Sequence, residues 1–144
     1  MKVHQILRAK PVGKVTTVMP GSSVADAARL LSERRYGAVI VSADGETVLG
    51  ILSERDIVRD LGRRGATCLD DRVEELMTRN IIGCAPEDTA DSVPERMPNG
   101  RSRHMPVLKD GKMVGIISIG DVVAARIAEL AMERDALEGM IKGN

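Results

Sequence analysis

The apolar positions of the chain follow two spacings, and each spacing predicts a different kind of element. The residues that recur at intervals of three and four after position 23 are Val24, Ala27, Ala28 and Leu31. This spacing places them on one face of a helix, and Ser22 or Ser23 is suited to cap its start. The stretch 38–41 is continuously apolar and partly β-branched, which predicts a buried strand, and the β-prone run at 15–18 predicts a shorter one.

The signals of a hairpin and of a second helix follow the buried strand. Asp44-Gly45 marks the turn, because glycine accepts the positive φ that a tight hairpin requires. Residues 48–52 are the predicted return strand. Ser53 and Asp56 then open a helix that is expected to end near Gly62.

The same order of features occurs twice along the chain. Residues 50–56 read G-I-L-S-E-R-D, and residues 115–121 read G-I-I-S-I-G-D, 65 positions later. An Asp-Gly pair lies upstream of both, and Ala38-Val39-Ile40 matches Met105-Pro106-Val107 at a spacing of 67 positions. Ordered matches of this kind indicate an internal repeat in which each copy is one structural unit.

The second copy predicts the same elements with one disturbed helix. A short strand is expected at Ile81-Ile82, and the hairpin strands are expected around 105–108 and 113–117. The helix near 89–97 contains Pro94, which removes a backbone donor and crowds the preceding turn. We therefore expect this helix to be short or kinked.

The chain ends in one long predicted helix, since no proline and only one glycine occur between Asp121 and Met140. A helix of this length either covers the core or forms a dimer seam, and some self-association is expected.

We divide the chain into a loosely held N-terminal segment at 1–12, a first repeat at 13–62, a linker with a short helix at 63–78, a second repeat at 79–126 and a C-terminal helix extension at 127–144.

The composition narrows the classes of partner. The 21 Lys and Arg residues balance the 21 Asp and Glu residues, and Tyr36 is the single aromatic, so neither nucleic acid nor a membrane is an expected partner. No apolar run reaches the roughly 20 residues of a membrane span, and no signal peptide is recognisable. Cys68 and Cys84 have no C-x-x-C spacing, which predicts a reduced cytoplasmic protein without a dedicated metal site.

The repeated Ser-x-x-Asp segment admits two interpretations. It can be a capping box, in which the serine and the aspartate accept hydrogen bonds from each other's backbone N–H groups. It can also be a nucleotide cradle, because a helix N-terminus attracts phosphate and an ionised aspartate accepts hydrogen bonds from a ribose diol. Gly50 and Gly115 precede the two segments and leave room for a close approach. Arg55, Arg103 and His104 are available as counter-charges.

This combination of motifs resembles a tandem pair of cystathionine-β-synthase (CBS) domains, a Bateman module of the stand-alone bacterial type. The resemblance rests on residues 50–56 and 115–121 and on Arg103-His104-Met105-Pro106-Val107 before the second motif, and it spans about residues 12–126. It implies an α+β fold in which two β-α-β-β-α units pack as a pseudo-twofold module with two clefts, followed by the long C-terminal helix.

The resemblance also implies one site in each cleft, with an adenine wall borrowed from the other repeat. Asp56 and Asp121 would hold ribose hydroxyls. The residues implied to approach phosphate are Ser53, Arg55, Ser118, Arg103 and His104. The residues implied to form the adenine walls are Val15, Thr16, Thr17, Tyr36, Gly37, Ala38, Ile82, Gly83, Cys84, Met105, Pro106 and Ile116. Gly120 departs from the pattern and removes a contact that Arg55 offers in the first copy.

The resemblance implies a non-catalytic regulatory protein. Its ligand would be an adenosyl nucleotide, with AMP the leading candidate before ADP, ATP, NAD(H) and S-adenosylmethionine, and no cofactor would be required. The implied partners are a second copy of the chain and a regulated protein, in an energy-sensing role. The alternatives are a nucleotide-processing enzyme, for which the sequence offers no phosphate-loop motif and no acidic metal cluster, and a ligand-independent scaffold or RNA-binding protein.

Overall fold

The structure of the protein is a computed structural model that describes residues 1–10, 15–34, 37–97 and 103–141. Its helices are α1 (Val3–Ala9), α2 (Val24–Arg34), α3 (Glu54–Arg64), α4 (Val73–Leu76) and α5 (Ile119–Ile141). Its strands are β1 (Thr17–Val18), β2 (Ala38–Val41), β3 (Gly50–Ser53), β4 (His104–Lys109) and β5 (Lys112–Ser118). Short 3-10 segments lie at Gly65–Asp70, Ala90–Ser92 and Pro94–Arg96. Helices packed with two small sheets confirm the predicted α+β class.

The first repeat is built on a three-stranded sheet in the order β1-β2-β3. β1 pairs parallel with β2 through Thr17 and Ile40, and β2 pairs antiparallel with β3 through Ala38 and Ser53. The predicted hairpin is confirmed, with a return strand that begins at Gly50 and ends at the serine which opens α3.

α2 covers this sheet with the face that its spacing predicts. Val24, Ala27 and Leu31 are buried in one core cluster with residues of β2 and β3, and Ala28 packs against the cluster from its edge. The Oγ of Ser23 accepts a hydrogen bond from the backbone N–H of Asp26 (3.1 Å), which makes Ser23 the capping serine.

The second repeat is built on the antiparallel pair β4-β5. Its turn places Asp110 at φ 53° and Gly111 at φ 79°. Two successive positive φ values are those of a type I′ turn, which suits the right-handed twist of a two-residue hairpin. The strands predicted around 105–108 and 113–117 are confirmed and extend further at both ends.

Two elements of the second repeat differ from the prediction. The strand predicted at Ile81-Ile82 is wrong, because in this part of the described chain β-pairing is reduced to an isolated parallel bridge between Cys84 and Val107. The helix predicted near 89–97 is replaced by two 3-10 turns, the second of which begins at Pro94. The expectation of a short, interrupted helix is thereby confirmed, and the reason is that proline at this point cannot donate to the preceding turn.

The N-terminal segment is held more firmly than predicted. Residues 3–9 form α1, whose Val3 and Ile6 are buried in the core of the second repeat. α4 is its counterpart 70 positions later, with Val73 buried in the core of the first repeat. The two sequences share an apolar pattern, V-x-x-I-L in α1 and V-x-x-L-M in α4, so each repeat is covered by a helix that lies outside its hairpin unit.

The observed pairing of the strands corrects the alignment of β2 with β4 by one residue. Ala38 pairs with Ser53 in the first hairpin, and His104 pairs with Ser118 in the second. The structural counterpart of Ala38 is therefore His104, at a spacing of 66 positions, and the spacing of 67 inferred from the sequence is wrong. The sequence alignment matched apolar residues to apolar residues. In the structure, the residues that pair with Ser53 and Ser118 at the strand ends define the register instead.

A third core cluster joins the two repeats. Its buried residues are Ala38, Ile40, Ile51 and Met113. The partly buried residues around them are Val15, Val48, Ile81, Leu108 and Ile116. A backbone hydrogen bond from Met113 N to the carbonyl of Glu46 (2.8 Å) crosses the same junction. The faces of the two hairpins therefore pack on each other, which places the end of each hairpin near the other repeat.

The predicted long helix at the C-terminal end is present as α5. Val122 and Ala125 near its start are buried, whereas Val123 and Ile127 are more than half exposed. Among the helices in the described ranges, none combines the length and the apolar character that crossing a bilayer requires.

Candidate ligand-binding site

The two Ser-x-x-Asp segments form the same hydrogen-bonded cap. Ser53 Oγ accepts from the N–H of Asp56 (3.1 Å), and Asp56 Oδ2 accepts from the N–H of Ser53 (2.9 Å). Ser118 and Asp121 repeat both bonds at 3.0 and 2.9 Å. The capping-box interpretation is therefore correct for both copies, and a ligand role must come from what surrounds each cap.

A cavity of about 430 Å³ opens beside the Asp56 cap. This volume lies within the range of small-molecule pockets. Its apolar lining consists of Ala38, Ile51, Ile81, Ile82 and Met105. These residues come from both repeats, so the cavity lies between them and one of its walls is supplied by the second repeat, as the sequence analysis expected for the Asp56 cleft.

The polar lining of the cavity is rich in cations. It consists of Ser53, Asp56, Arg59, Thr78, Asn80, Arg96, Arg103 and His104. Arg59 forms an ion pair with Asp56 at 2.5 Å. Arg96 forms one with Asp88 at 2.7 Å and also donates to the carbonyl of Gly83. The lining contains three guanidinium groups and one carboxylate, and with Asp88 bound to Arg96 beside it the charge balance is still positive, which favours an anionic ligand.

Arg59 lines the cavity, whereas Arg55, which was expected to approach phosphate, does not. Arg55 is exposed and is not among the residues that line the cavity. A helix turns by about 100° per residue, so the side chain three positions after Asp56 returns to its face while the side chain just before it does not. The signal was present in the sequence as D-I-V-R at 56–59.

The other residues expected in the Asp56 cleft lie behind its wall. Cys84 and Pro106 are buried, and the Cys84 thiol points toward the Pro106 carbonyl (3.9 Å). Burial raises the pKa of Cys84 to about 11, so the thiol is neutral at pH 7. A Cβ built on Gly83 would contact Leu108 at 2.8 Å, so this glycine is closely packed.

His104 lies at the junction between the two clefts. It lines the cavity at Asp56 and packs against Gly37, where a Cβ would lie 2.8 Å from the imidazole Cε1. Burial lowers the pKa of His104, the nearby carboxylate of Asp121 opposes this effect, and the Lys10 ammonium adds to it. The imidazole is therefore predominantly neutral at pH 7 and can donate or accept a hydrogen bond.

The Asp121 cap has a different neighbour. Lys10 Nζ donates to Asp121 Oδ2 (2.9 Å) and to the backbone carbonyl of Ile116 (3.0 Å). Burial alone would raise the pKa of Asp121, but the hydrogen bonds from Lys10 and from Ser118 outweigh burial and leave it below its ordinary value. Lys10 was not among the predicted site residues, because it lies in a segment that was expected to be loosely held.

The remaining residues expected in the Asp121 cleft are spread around the junction. Val15 and Ile116 are partly buried in the cluster that joins the repeats. Thr16 and Thr17 are half-buried at the start of β1. Tyr36 lies outside the described residues, so its expected contact with adenine stays a prediction.

Comparison with protein families matches the CBS domain model to residues 3–63 and 73–128. A mitochondrial CBS domain-containing protein from Arabidopsis thaliana, CBSX3, is 34% identical over 125 residues, which are 84% of this chain and 61% of that protein. The chain thus spans about three fifths of this relative's length. A 17.7 kDa protein from Acidianus ambivalens is 32% identical over 143 residues, which are 99% of this chain and 83% of its own length.

Solved structures show the same architecture. A CBS-domain protein from Agrobacterium tumefaciens, ATU1752, is 42% identical, with a TM-score of 0.79 over 87% of this chain and 98% of that one. CBSX2 in complex with AMP is 26% identical, with a TM-score of 0.71 over 88% and 96%. The CBS domain pair of MJ0100, in complex with 5′-methylthioadenosine and S-adenosylmethionine, is 25% identical, with a TM-score of 0.75 over 90% and 98%.

Proposed function

The chain belongs to the CBS-domain family, and from that premise we propose that it is a non-catalytic regulatory module that binds an adenosine phosphate, foremost AMP, in the cavity at Asp56. One observation carries the proposal. A single cavity lined by both repeats brings together a capping aspartate, the N-terminus of a helix, an apolar wall and a group of arginines.

The ribose is assigned to Asp56. Its carboxylate already accepts from the N–H of Ser53 and from Arg59, and two carboxylate oxygens offer about four acceptor positions, so acceptor capacity is left for a vicinal diol. The side chain of Asp56 is 14% exposed, so a hydrogen bond formed there is largely shielded from water.

The phosphate is assigned to the cationic side of the cavity. Arg59 and Arg103 line it, and the N-terminus of α3 adds the positive end of the helix dipole. A guanidinium forms two parallel hydrogen bonds with a phosphate, which favours phosphate over a neutral group. The adenine is assigned to the apolar wall of Ile82 and Met105.

The charge of the lining separates the two ligand classes found in the related structures. AMP is found in CBSX2, and S-adenosylmethionine in the domain pair of MJ0100. S-adenosylmethionine carries a sulfonium cation, which the guanidinium groups of Arg59 and Arg103 would repel, whereas they would attract the phosphate of AMP. We therefore rank AMP above S-adenosylmethionine for this chain.

Signalling follows from a cavity whose walls belong to two repeats. A ligand that contacts Asp56 from the first repeat and Met105 from the second stabilises the arrangement of repeats that it fits best. A partner protein that distinguishes this arrangement then senses ligand occupancy, and with AMP as the ligand the module would report energy state.

We also propose that the chain forms a homodimer in which the second copy covers α5. The apolar side chains of this helix that are about half or more exposed include Val123, Ile127, Leu130 and Leu137. Several large apolar side chains exposed along one helix are typical of an association site. Light scattering at micromolar concentration should report a dimer, and Ile127→Asp should shift it toward the monomer. A wild-type monomer across that range would remove the dimer from the proposal.

The test of ligand binding is a thermal-shift panel followed by calorimetric titration. AMP at about 100 times its dissociation constant should stabilise the fold by roughly 2.7 kcal/mol, and S-adenosylmethionine should have a smaller effect. Asp56→Ala should abolish the AMP response. Asp56→Asn, which keeps a side-chain oxygen for the cap, should weaken it in a folded protein.

The chain offers a matched control for these variants. Asp26 follows a capping serine by three residues and forms an ion pair with an arginine three residues later, as Asp56 does, but it is exposed and outside the cavity. Asp26→Ala should leave AMP binding unchanged. An AMP response that survives Asp56→Ala, or no response of the wild-type protein to millimolar AMP, would show that the proposed ligand site is wrong.

A further inference from the structure

The two clefts differ in the residue that follows the covering helix. This residue is Lys10 after α1 and Asn80 after α4. α1 and α4 match at a spacing of 70 positions, and by this spacing Asn80 corresponds to Lys10 in the sequence, although α4 ends at Leu76 and α1 continues to Ala9. Asn80 lines the open cavity at Asp56. Lys10 instead binds the carboxylate of Asp121 directly.

The Lys10 ammonium makes two hydrogen bonds at the Asp121 cap. It donates to Asp121 Oδ2 at 2.9 Å and to the carbonyl of Ile116 at 3.0 Å. Both groups are partly buried, since the side chains of Lys10 and Asp121 are 34% and 23% exposed. Oδ2 also accepts from the N–H of Ser118, so the oxygen nearest the cap is occupied by two donors from the chain itself.

α1 holds Lys10 in this place. Val3 and Ile6 anchor the helix in the core of the second repeat, with exposed fractions of 0% and 4%. Leu7 packs over Gly115, where a Cβ would lie 2.9 Å from the Leu7 Cδ2. Lys10 follows directly after this anchored helix, so its position is set by packing and not by the ion pair alone.

We propose that Lys10 is an internal occupant of the Asp121 cleft and is the residue that makes the two clefts unequal. Asp56 also pairs with a cation, but Arg59 belongs to α3 itself and binds the oxygen away from the cap, whereas Lys10 reaches Asp121 from the N-terminal segment and is fixed by Ile116 as well. The Lys10 ammonium takes the place at Asp121 that a ribose diol would take, so one AMP binds per chain, at Asp56. This inference rests on the proposed function and deepens it, because it names the residue that sets the stoichiometry. A ligand that enters the second cleft must first displace Lys10.

A second difference adds to the inequality. Ala124 is the counterpart of Arg59, because it lies three residues after Asp121 on α5. Ala124 is exposed, as Arg59 is, so an arginine can be placed there without entering the core. The Asp121 cleft thus has an internal cation on its ribose position and no guanidinium at the position that faces phosphate in the first cleft.

The test converts the second cleft into a copy of the first and counts ligands. Calorimetric titration with AMP should give one site in the wild-type protein and one in Ala124→Arg, in which Lys10 still occupies Asp121. Lys10→Asn installs the residue found at position 80 and should reveal a second, weaker site. In Lys10→Asn with Ala124→Arg that site should tighten by roughly tenfold, the effect of one charge-assisted hydrogen bond. Lys109→Asn, at an exposed lysine in the hairpin, is the matched control and should keep one site.

The outcomes separate the inference from the function on which it rests. Two sites in the wild-type protein, or a single site in Lys10→Asn with Ala124→Arg, would overturn the occupant role of Lys10 while leaving AMP binding at Asp56 intact. An absence of AMP binding in every variant would overturn the proposed function, and the inference with it. Asp121→Ala added to the double variant should remove the second site alone.

Discussion

The two clefts of this protein start from one local structure and diverge in their surroundings. Ser53 with Asp56 and Ser118 with Asp121 form caps whose hydrogen bonds agree within 0.1 Å. The first cap borders a cavity with three arginines in its lining, and the second is bound by a lysine that directly follows the N-terminal helix. A repeated motif therefore identifies two possible sites, and the unrepeated residues around each decide what it can bind.

The cores of the two repeats should respond alike, and this is the largest expected effect. Leu52 and Ile117 occupy equivalent places on the return strands and are fully buried. Leu52→Ala and Ile117→Ala should each lower the free energy of unfolding by about 2–5 kcal/mol, because each leaves a cavity in a packed core. Chemical denaturation followed by circular dichroism is the measurement. One transition is expected in both variants, and separate transitions for the two repeats would contradict a shared core.

The two clefts should differ in ligand binding, although the two cores respond alike to substitution. Arg59→Ala should weaken AMP binding by about 10- to 100-fold, because a hydrogen bond to a charged group contributes roughly 1.5–3 kcal/mol. Calorimetric titration measures the change. Arg29→Ala is the control, since Arg29 forms the same i,i+3 ion pair with an aspartate on the exposed side of α2. Equal losses in the two variants would mean that Arg59 acts through general charge and not through the cavity.

The caps themselves should contribute equally to stability. Ser53→Ala and Ser118→Ala should each cost about 1 kcal/mol, because each removes the acceptor for a backbone N–H at a helix start. Ser32→Ala, at an exposed position inside α2, is the control and should have a much smaller effect. A clear difference between the two cap variants in thermal unfolding would contradict the equal contribution of the caps.

The smallest expected effect is the response of the Lys10–Asp121 ion pair to acid. The pKa of Asp121 lies below its ordinary value in the folded protein. A lowered carboxyl pKa contributes stability that is fully present above the unfolded value of about 3.9 and is lost as the pH falls through the folded value. Partly exposed ion pairs contribute roughly 0–1 kcal/mol. Asp121→Asn should make the loss of stability from pH 5 to pH 2 less steep, and an unchanged slope would contradict this role.

The sequence predicted the site best at positions where the chemistry of the residue and its place in the motif both pointed to ligand binding. Ser53, Asp56, His104 and Met105 were expected around one cleft, and the structure places all four around one cavity. Arg103 was expected to serve the second motif, but it lines the cavity at Asp56. Their ligand contacts stay a proposal. Arg59 was missed although helical spacing places it on the face of Asp56, because the motif ended at the aspartate.

The N-terminal helix was missed for a different reason. α1 is a short helix, and a helix of this length is not stable in isolation, so its sequence pattern carries a weak signal. It becomes ordered because Val3 and Ile6 find a core in the second repeat, far away along the chain. The match between α1 and α4 was detectable only as a repeat at a spacing of 70 positions, which differs from the 65 of the motifs.

By itself the sequence determined the repeat, the two hairpins, the long C-terminal helix and the two serine–aspartate caps, because each depends on contacts between residues that are close along the chain. The tertiary structure alone decided that β4 is one residue out of the expected register, that the Asp56 cleft is open and that Lys10 occupies the Asp121 cleft. Lys10 and Asp121 are 111 residues apart. A contact over that distance is set by how helices and sheets pack, and no local pattern records it.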